Sequence, residues 1–170
     1  QPTVAMLDAL PERPAGLVIA SPANPTGTII DGAELAAISA WCAANGVLLI
    51  SDEIYHGITY GSTAPTAVAG GAAAGEVVIG SFSKYFSMTG WRLGWMVVPQ
   101  AYVREIEKLA QHFFISPSTP AQHAALAAFA PGTLDILEER RHAFANRRNA
   151  LLPELRDIGF RFATEPQGAF

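Results

Sequence analysis

Leu17-Val18-Ile19-Ala20-Ser21-Pro22-Ala23-Asn24-Pro25-Thr26-Gly27 is a short apolar run that ends in turn-forming chemistry, and Val47-Leu48-Leu49-Ile50-Ser51-Asp52-Glu53 repeats that design further along. Wholly apolar runs of this length, bounded by polar and turn-forming residues, read as buried strands that open onto polar loops. Between the two, Asp31 precedes Glu34 at a capping-box spacing, and Leu35, Ile38, Trp41 and Cys42 recur at helical intervals until Asn45-Gly46 supplies a stop. Strand, helix and strand in that order make a crossover unit, and such units are parallel and right-handed. The predicted fold class is α/β, a mostly parallel sheet with flanking helices.

Outward from this unit, Val77-Val78-Ile79 ends at Gly80 and opens onto Ser81-Phe82-Ser83-Lys84, while Trp95-Met96-Val97-Val98 is closed by Pro99. Both read as further strands. Tyr102 to Phe114 is helical by spacing, Thr119-Pro120-Ala121-Gln122 reads as a second capping box, and Pro131-Gly132 reads as the end of the helix it opens. From Thr133 to Leu152 a helix is predicted with Leu134, Leu137, Phe144 and Leu151 on one face. Its arginine pairs, Arg140-Arg141 and Arg147-Arg148, read as solvated surface. Phe160-Arg161-Phe162-Ala163 alternates like a strand and is expected to open a second domain. The Ala/Gly-rich stretch from Ala67 to Gly75 reads as a loop. Gln1 is not an initiator residue and Pro166-Gln167-Gly168-Ala169 sets up a turn, so the chain is expected to be the middle of a longer protein, its fold incomplete at both ends.

The 170 residues suffice for one ordinary domain. Apolar residues make up 50% and charged residues 15%, well under the roughly 25% charged of an average soluble protein, which excludes a disordered tail. A net charge of -4 gives no electrostatic reason to bind nucleic acid or an anionic membrane. Gly, Pro and Ser interrupt every apolar run before it reaches the roughly 18 residues of a spanning helix. The single cysteine, Cys42, cannot form an internal disulfide and suits a reducing compartment, so the expected location is cytoplasmic. His56, His112, His123 and His142 share no metal-ligand spacing, and no metal is expected.

Asn24, Asp52 and Lys84 each stand close behind the end of a predicted strand, and open α/β sheets bind ligands at the carboxyl ends of their strands. The three therefore converge on one crevice. Lys84 and Lys108 are the only lysines in the chain, against nine arginines. Lys108 has an ordinary helical place, whereas Lys84 lies among Phe82, Tyr85 and Phe86, an apolar setting expected to favour the uncharged amine and attack on a carbonyl.

Asn24-Pro25-Thr26-Gly27, then Ser51-Asp52-Glu53-Ile54-Tyr55, then the run from Ser81 to Trp95 through Lys84-Tyr85-Phe86-Ser87-Met88-Thr89-Gly90-Trp91-Arg92 resembles the class I and II aminotransferases, pyridoxal-phosphate enzymes of fold type I. The order and the spacings, 52-24=28 and 84-52=32, carry the resemblance, which continues into Pro166-Gln167-Gly168-Ala169-Phe170. It implies that residues 1–150 are the central part of a large cofactor-binding domain, including the long connecting helix, and that 151–170 begin a small C-terminal domain. It implies transfer of an amino group between an amino acid and a 2-oxo acid. Lys84 would hold pyridoxal 5'-phosphate as an internal aldimine and then serve as the proton-moving base. Asp52 would pair with the pyridine nitrogen, a contact worth about 5 kcal/mol near ~3 Å at an effective dielectric of about 20. Tyr55 and Asn24 would bond the phenolic oxygen, and Arg92 with Ser81 and Ser83 the phosphate. A homodimer is implied as well.

Three other readings share these residues. Ser81-Phe82-Ser83-Lys84 also fits the S-x-x-K pattern of penicillin-binding proteins, but the partner Lys-Thr-Gly is missing and Ser51-Asp52-Glu53 precedes the serine. Transcription regulators that fuse an aminotransferase-like domain to a winged helix keep much of the same site as sensors. Lyases and deaminases of fold type I share the lysine and the aspartate. No G-x-G-x-x-G follows the first strand, which removes a dinucleotide-binding reading.

Overall fold

The computed structural model describes residues 1–70 and 75–169. Strands β1 (Gly16–Ala20), β2 (Leu48–Asp52) and β3 (Val77–Ser81) lie side by side in parallel, and β4 (Gly94–Val97) runs antiparallel along β3, in the order β1-β2-β3-β4. Helix α2 (Gly32–Asn45) is the crossover between β1 and β2. Ala20 pairs with Asp52, and Asp52 with Ile79, so the parallel strands all finish at the same end of the sheet.

α2 covers one face of that sheet. Leu35, Ile38 and Cys42 meet Ile19, Leu49 and Val78 in the main core, and Ile38 is 0% exposed. Asp31 caps the helix, its Oδ1 accepting from the Ala33 amide at 2.8 Å. The expected capping box is not closed, because the Glu34 carboxylate accepts instead from the Val4 amide at 2.7 Å. Val4 opens a short helix, α1 (Val4–Asp8), whose first amides lack intrahelical partners. A second tie, Trp41 Nε1 to Asp8 Oδ1 at 2.7 Å, fastens α1 to α2. Gly46, at φ 65°, ends α2 in the left-handed conformation.

Helices α3 (Gln100–Phe113), α4 (Thr119–Ala128) and α5 (Pro131–Asp157) follow the sheet. Thr119 is not a capping residue: Ser118 precedes the helix without a side-chain bond, and Gln122 Nε2 turns back to the Pro117 carbonyl at 3.0 Å. Pro131 does not end α4 but begins α5, since a proline at the first helical position forgoes only an amide that has no partner there. α5 runs 27 residues, across residue 150, and buries Leu137 and Leu152 rather than Leu151, which is 56% exposed. Residues 160–163 form no strand; alternation needs a neighbouring strand to pair with, and the pairing found in this region is a single antiparallel bridge between Thr59 and Gly168. Ala67–Gly70 is a 3-10 turn rather than an open loop, and residues 71–74 of that stretch lie outside the described residues.

The sheet is less covered than its sequence implies. Val18, in the middle of apolar β1, is 69% exposed, and Trp95 and Met96 on β4 are 42% and 50% exposed. The chain exposes 10452 Å², against roughly 8,000 Å² for a compact monomer of its mass. Among the described residues no helix is long and apolar enough to cross a membrane. Because α2 is the covered face's main support, Ile38→Ala is expected to cost about 2–5 kcal/mol, read as a shift of the urea unfolding midpoint of the intact protein.

Candidate active site

Each strand of the parallel set delivers a polar loop to the common end. After β1 the chain turns at Ala23–Gly27, closed by Ala23 N–H to Thr28 O (2.9 Å) and Gly27 N–H to Ala23 O (2.7 Å). Gly27 sits at φ 67°, and a Cβ there would lie 2.7 Å from both Gly168 O and Pro166 Cβ, so a side chain is excluded. The segment from Pro166 to Ala169 is thereby seated on the site: Gln167 and Gly168 donate to Gly27 O at 2.7 and 2.9 Å, and Ala169 to Ile58 O at 2.9 Å.

Asp52 ends β2, half-buried, with Oδ1 accepting from the Ile54 amide at 3.1 Å. Its neighbour Glu53 points into the protein. Glu53 Oε1 accepts from Ser51 Oγ (3.0 Å) and the Ala67 amide (2.8 Å), and Oε2 lies 3.4 Å from His56 Nδ1. Tyr55 is 7% exposed, and Asn24 Nδ2 donates to its hydroxyl at 3.3 Å. From the third loop Lys84 Nζ stands 5.2 Å from the centre of the Tyr55 ring. Asn24, Tyr55 and Lys84, sixty residues apart in the chain (84-24=60), are thus assembled into one cluster.

The lysine loop folds on itself. Phe82 N–H meets Leu93 O (3.1 Å), Ser87 N–H meets Lys84 O (3.0 Å), and Thr89 Oγ1 donates to Ser83 O (2.6 Å). Ser81 Oγ accepts from the Ser83 amide at 3.0 Å and reaches Leu93 O at 3.4 Å, beside Arg92. Arg92, exposed and at φ 52°, donates from Nη1 to Thr89 O at 3.0 Å, and among the described residues the rest of its guanidinium fork is left open to a ligand. Ser87 is also left-handed, at φ 56°. Such non-glycine residues store about 1–3 kcal/mol each, held here by Phe82 and Met88, which are buried against Ala125 and Ala128 of α4. Trp95 packs on this loop, edge-on to Phe82 with ring centres 5.1 Å apart, and its indole occupies the space beside Gly80, where a Cβ would come within 2.2 Å of Cε2.

Sequence reading missed a second set of residues. Tyr85 Oη donates to Glu138 Oε1 at 2.7 Å, Glu138 Oε2 accepts from Arg141 Nε at 2.7 Å, and Arg141 Nη1 donates to Thr59 O at 3.0 Å. Arg148 likewise turns inward, over the Tyr60 ring and onto Pro166 O. The expectation of solvated arginines is therefore corrected for these two. The signal was present: Leu137, Arg141, Phe144, Arg148 and Leu152 step along one helical stripe. Burial, then the bond to Glu138 and its charge, push the Tyr85 phenol from 10.0 up to about 12. The bond from Tyr85, supported by Arg141, holds the Glu138 carboxyl below 4.5. Among the described residues no group of three or more His, Cys, Asp or Glu side chains is arranged to hold a metal ion.

Residues 3–170 match the pattern of aminotransferase class I and II. The chain belongs to that family. This aminotransferase-family chain is 45% identical over 170 residues to a valine–pyruvate aminotransferase of Mycobacterium tuberculosis, covering 100% of this chain and 44% of the relative. It is 39% identical over 165 residues to an aspartate aminotransferase of Geobacillus stearothermophilus, covering 95% of this chain and 42% of the relative. A crystal structure of an aminotransferase from Mycobacterium tuberculosis superposes with a TM-score of 0.95 at 44% identity, covering 100% of this chain and 44% of that one. Aspartate aminotransferase from Thermus thermophilus with maleate gives 0.89 at 30% identity, covering 97% and 43%. The fold is that of fold-type-I aminotransferases, and the chain spans less than half the length of these relatives.

The Tyr85 pair sets a pH dependence with a definite sign. The folded protein keeps the Tyr85 proton above 10.0, where an unfolded phenol releases it, so stability falls as pH climbs from 10.0 towards about 12. Glu138 contributes above 4.5 and loses its contribution as pH drops below that value. Phenolate absorbance of wild type and Tyr85→Phe should superimpose through the ordinary tyrosine range and separate only near about 12.

Proposed function

We propose that this site moves an amino group from an amino acid to a 2-oxo acid with pyridoxal 5'-phosphate as cofactor. The observation that carries the reading is the cluster of Lys84 Nζ, 5.2 Å from the Tyr55 ring, with the Tyr55 hydroxyl receiving the Asn24 amide at 3.3 Å. The donor set fits the cofactor group by group: an amine for its aldehyde, a carboxylate for its ring nitrogen, a phenol and an amide for its phenolic oxygen, and a guanidinium with two hydroxyls for its phosphate.

When bound, the cofactor supplies an electron-withdrawing ring that takes up the electron pair left as the substrate's α-carbon loses its proton. Lys84 Nζ would hold that cofactor through its aldehyde and, as a free amine, would be the general base that moves a proton between the substrate's α-carbon and the cofactor. The Asp52 carboxylate would pair with the ring nitrogen and keep it protonated. Tyr55 and Asn24 would orient the ring through its phenolic oxygen, and Arg92, Ser81 and Ser83 would anchor the phosphate. The similarity to a relative named valine–pyruvate aminotransferase supports valine and pyruvate as the first substrate pair. The reading extends to a homodimer, supported by exposed Trp91, Phe113, Phe114 and Ile115, to a cytoplasmic location, supported by the buried free thiol of Cys42, and to a large domain over 1–150 followed by the start of a small one over 151–170.

Borohydride reduction of the intact protein loaded with pyridoxal phosphate, followed by peptide mapping, is expected to fix the cofactor on Lys84; label on Lys108, or none, sinks the reading. Asp52→Ala is expected to slow α-proton removal by at least about a hundredfold while cofactor retention falls far less. Stopped-flow absorbance with valine checks this, and appearance of the amine form of the cofactor separates transamination from elimination.

A further inference from the structure

Tyr85 follows Lys84 directly and has no part in the chemistry above, yet it is fixed at both ends of its side chain. Its ring covers Gly57: a Cβ on Gly57 would come within 2.5 Å of Tyr85 Cδ2 and 2.6 Å of Cγ, and Gly57 sits at φ +90°. Position 57 must therefore be glycine for the ring to lie where it does. Its hydroxyl is bonded to Glu138, and through Arg141 to the carbonyl of Thr59. These contacts close a circuit. Gly57 and Thr59 belong to the segment that follows Tyr55, Tyr85 to the segment that follows Lys84, and Glu138 and Arg141 to neighbouring turns of α5. Lys84 and Tyr85 line a narrow crevice of about 20 Å³ together with Ile58 and with Leu137, Arg141 and Phe144 of α5, so the lysine loop and that helix face each other across it.

We propose that Tyr85 is a positioning residue, which through Gly57 on one side and the Glu138–Arg141 pair on the other holds Lys84 Nζ against the Tyr55 ring. The inference rests on the aminotransferase reading. Lys84 has four rotatable bonds in its side chain, and its amine must meet a carbon atom to within a fraction of an ångström; displacement by about 1 Å costs on the order of a hundredfold in rate. Gly57 lies two residues from Tyr55, and Tyr85 lies one residue from Lys84. Seating the one on the other sets the spacing of the two functional side chains with few intervening torsions. The same circuit makes α5 part of the lysine's support, because Glu138 is anchored by Arg141 to the Tyr55 segment.

The test compares wild type, Tyr85→Phe, Glu138→Gln and the double variant as intact, cofactor-loaded protein. Tyr85→Phe keeps the ring on Gly57 and removes only the hydroxyl. It should lower kcat about tenfold with KM for the amino donor within about twofold, and should change the visible circular dichroism band of the bound cofactor, which reads how the cofactor is seated whether or not turnover occurs. Glu138→Gln should move kcat and the band in the same direction, and the double variant should lose no more than Tyr85→Phe alone, as expected when both act through one bond. If Tyr85→Phe gives no cooperative melt, Glu138→Gln carries the same comparison with the ring still in place. Wild-type kcat and an unchanged band in folded Tyr85→Phe, even with a lowered melting temperature, overturn the inference, because only a structural role then remains. Losses that simply add in the double variant overturn it too. A wild-type protein that takes no borohydride label on Lys84 removes the proposed function and this inference together, whereas labelled wild type with unaltered variants removes the inference alone.

Discussion

The parallel register that joins Ala20, Asp52 and Ile79 is the constraint on which the site depends. It aligns the carboxyl ends of adjacent strands, so the turn at Asn24, the corner at Asp52 and Tyr55, and the loop at Lys84 share one edge of the sheet. Without it, residues separated by 28 and 32 positions (52-24=28, 84-52=32) have no reason to meet. Backbone pairing across a covered sheet face is what α2 protects, and α2 is in turn fixed by a capping aspartate at one end and a left-handed glycine at the other. The chemistry at the edge is thus supported from a core that contains none of it.

Much of this was legible because the relevant signals are local. Apolar tetrads ending in Pro, Asn and Gly mark strand ends wherever they occur, and a scarce lysine among aromatics stands out from a background of arginines. What was not legible depends on partners far off in the chain. Glu34 has the right spacing to close a capping box, but a helix lying alongside offers it an amide in greater need. Phe160 and Phe162 alternate correctly, yet alternation does not supply a strand to pair with. Pro131 was misread because a proline that stops one helix and a proline that starts the next look alike in sequence.

The candidate site divides the same way. Asn24, Asp52, Tyr55, Ser81, Ser83, Lys84 and Arg92 were all picked out from motif and position. Tyr85, Glu138 and Arg141 were not, since their meaning comes from a contact spanning 53 residues between a loop and a helix. A glutamate and an arginine three apart on a helix resemble countless exposed pairs. Only the stripe that Arg141 shares with Leu137 and Phe144 sets this pair apart, with Glu138 tied to it through the Arg141 guanidinium.

The indole of Trp95 fills the space a side chain on Gly80 would take, with Phe82 at an edge-to-face angle to it. Gly80 stands one residue before Ser81 and belongs to the strand that delivers Lys84. A natural fluorophore is therefore built into the floor beneath the lysine loop, held at van der Waals range from a backbone that offers no side chain to cushion it. Any event that tilts the last two strands against each other changes the dielectric around that ring, so the molecule carries its own optical gauge of strain at this edge.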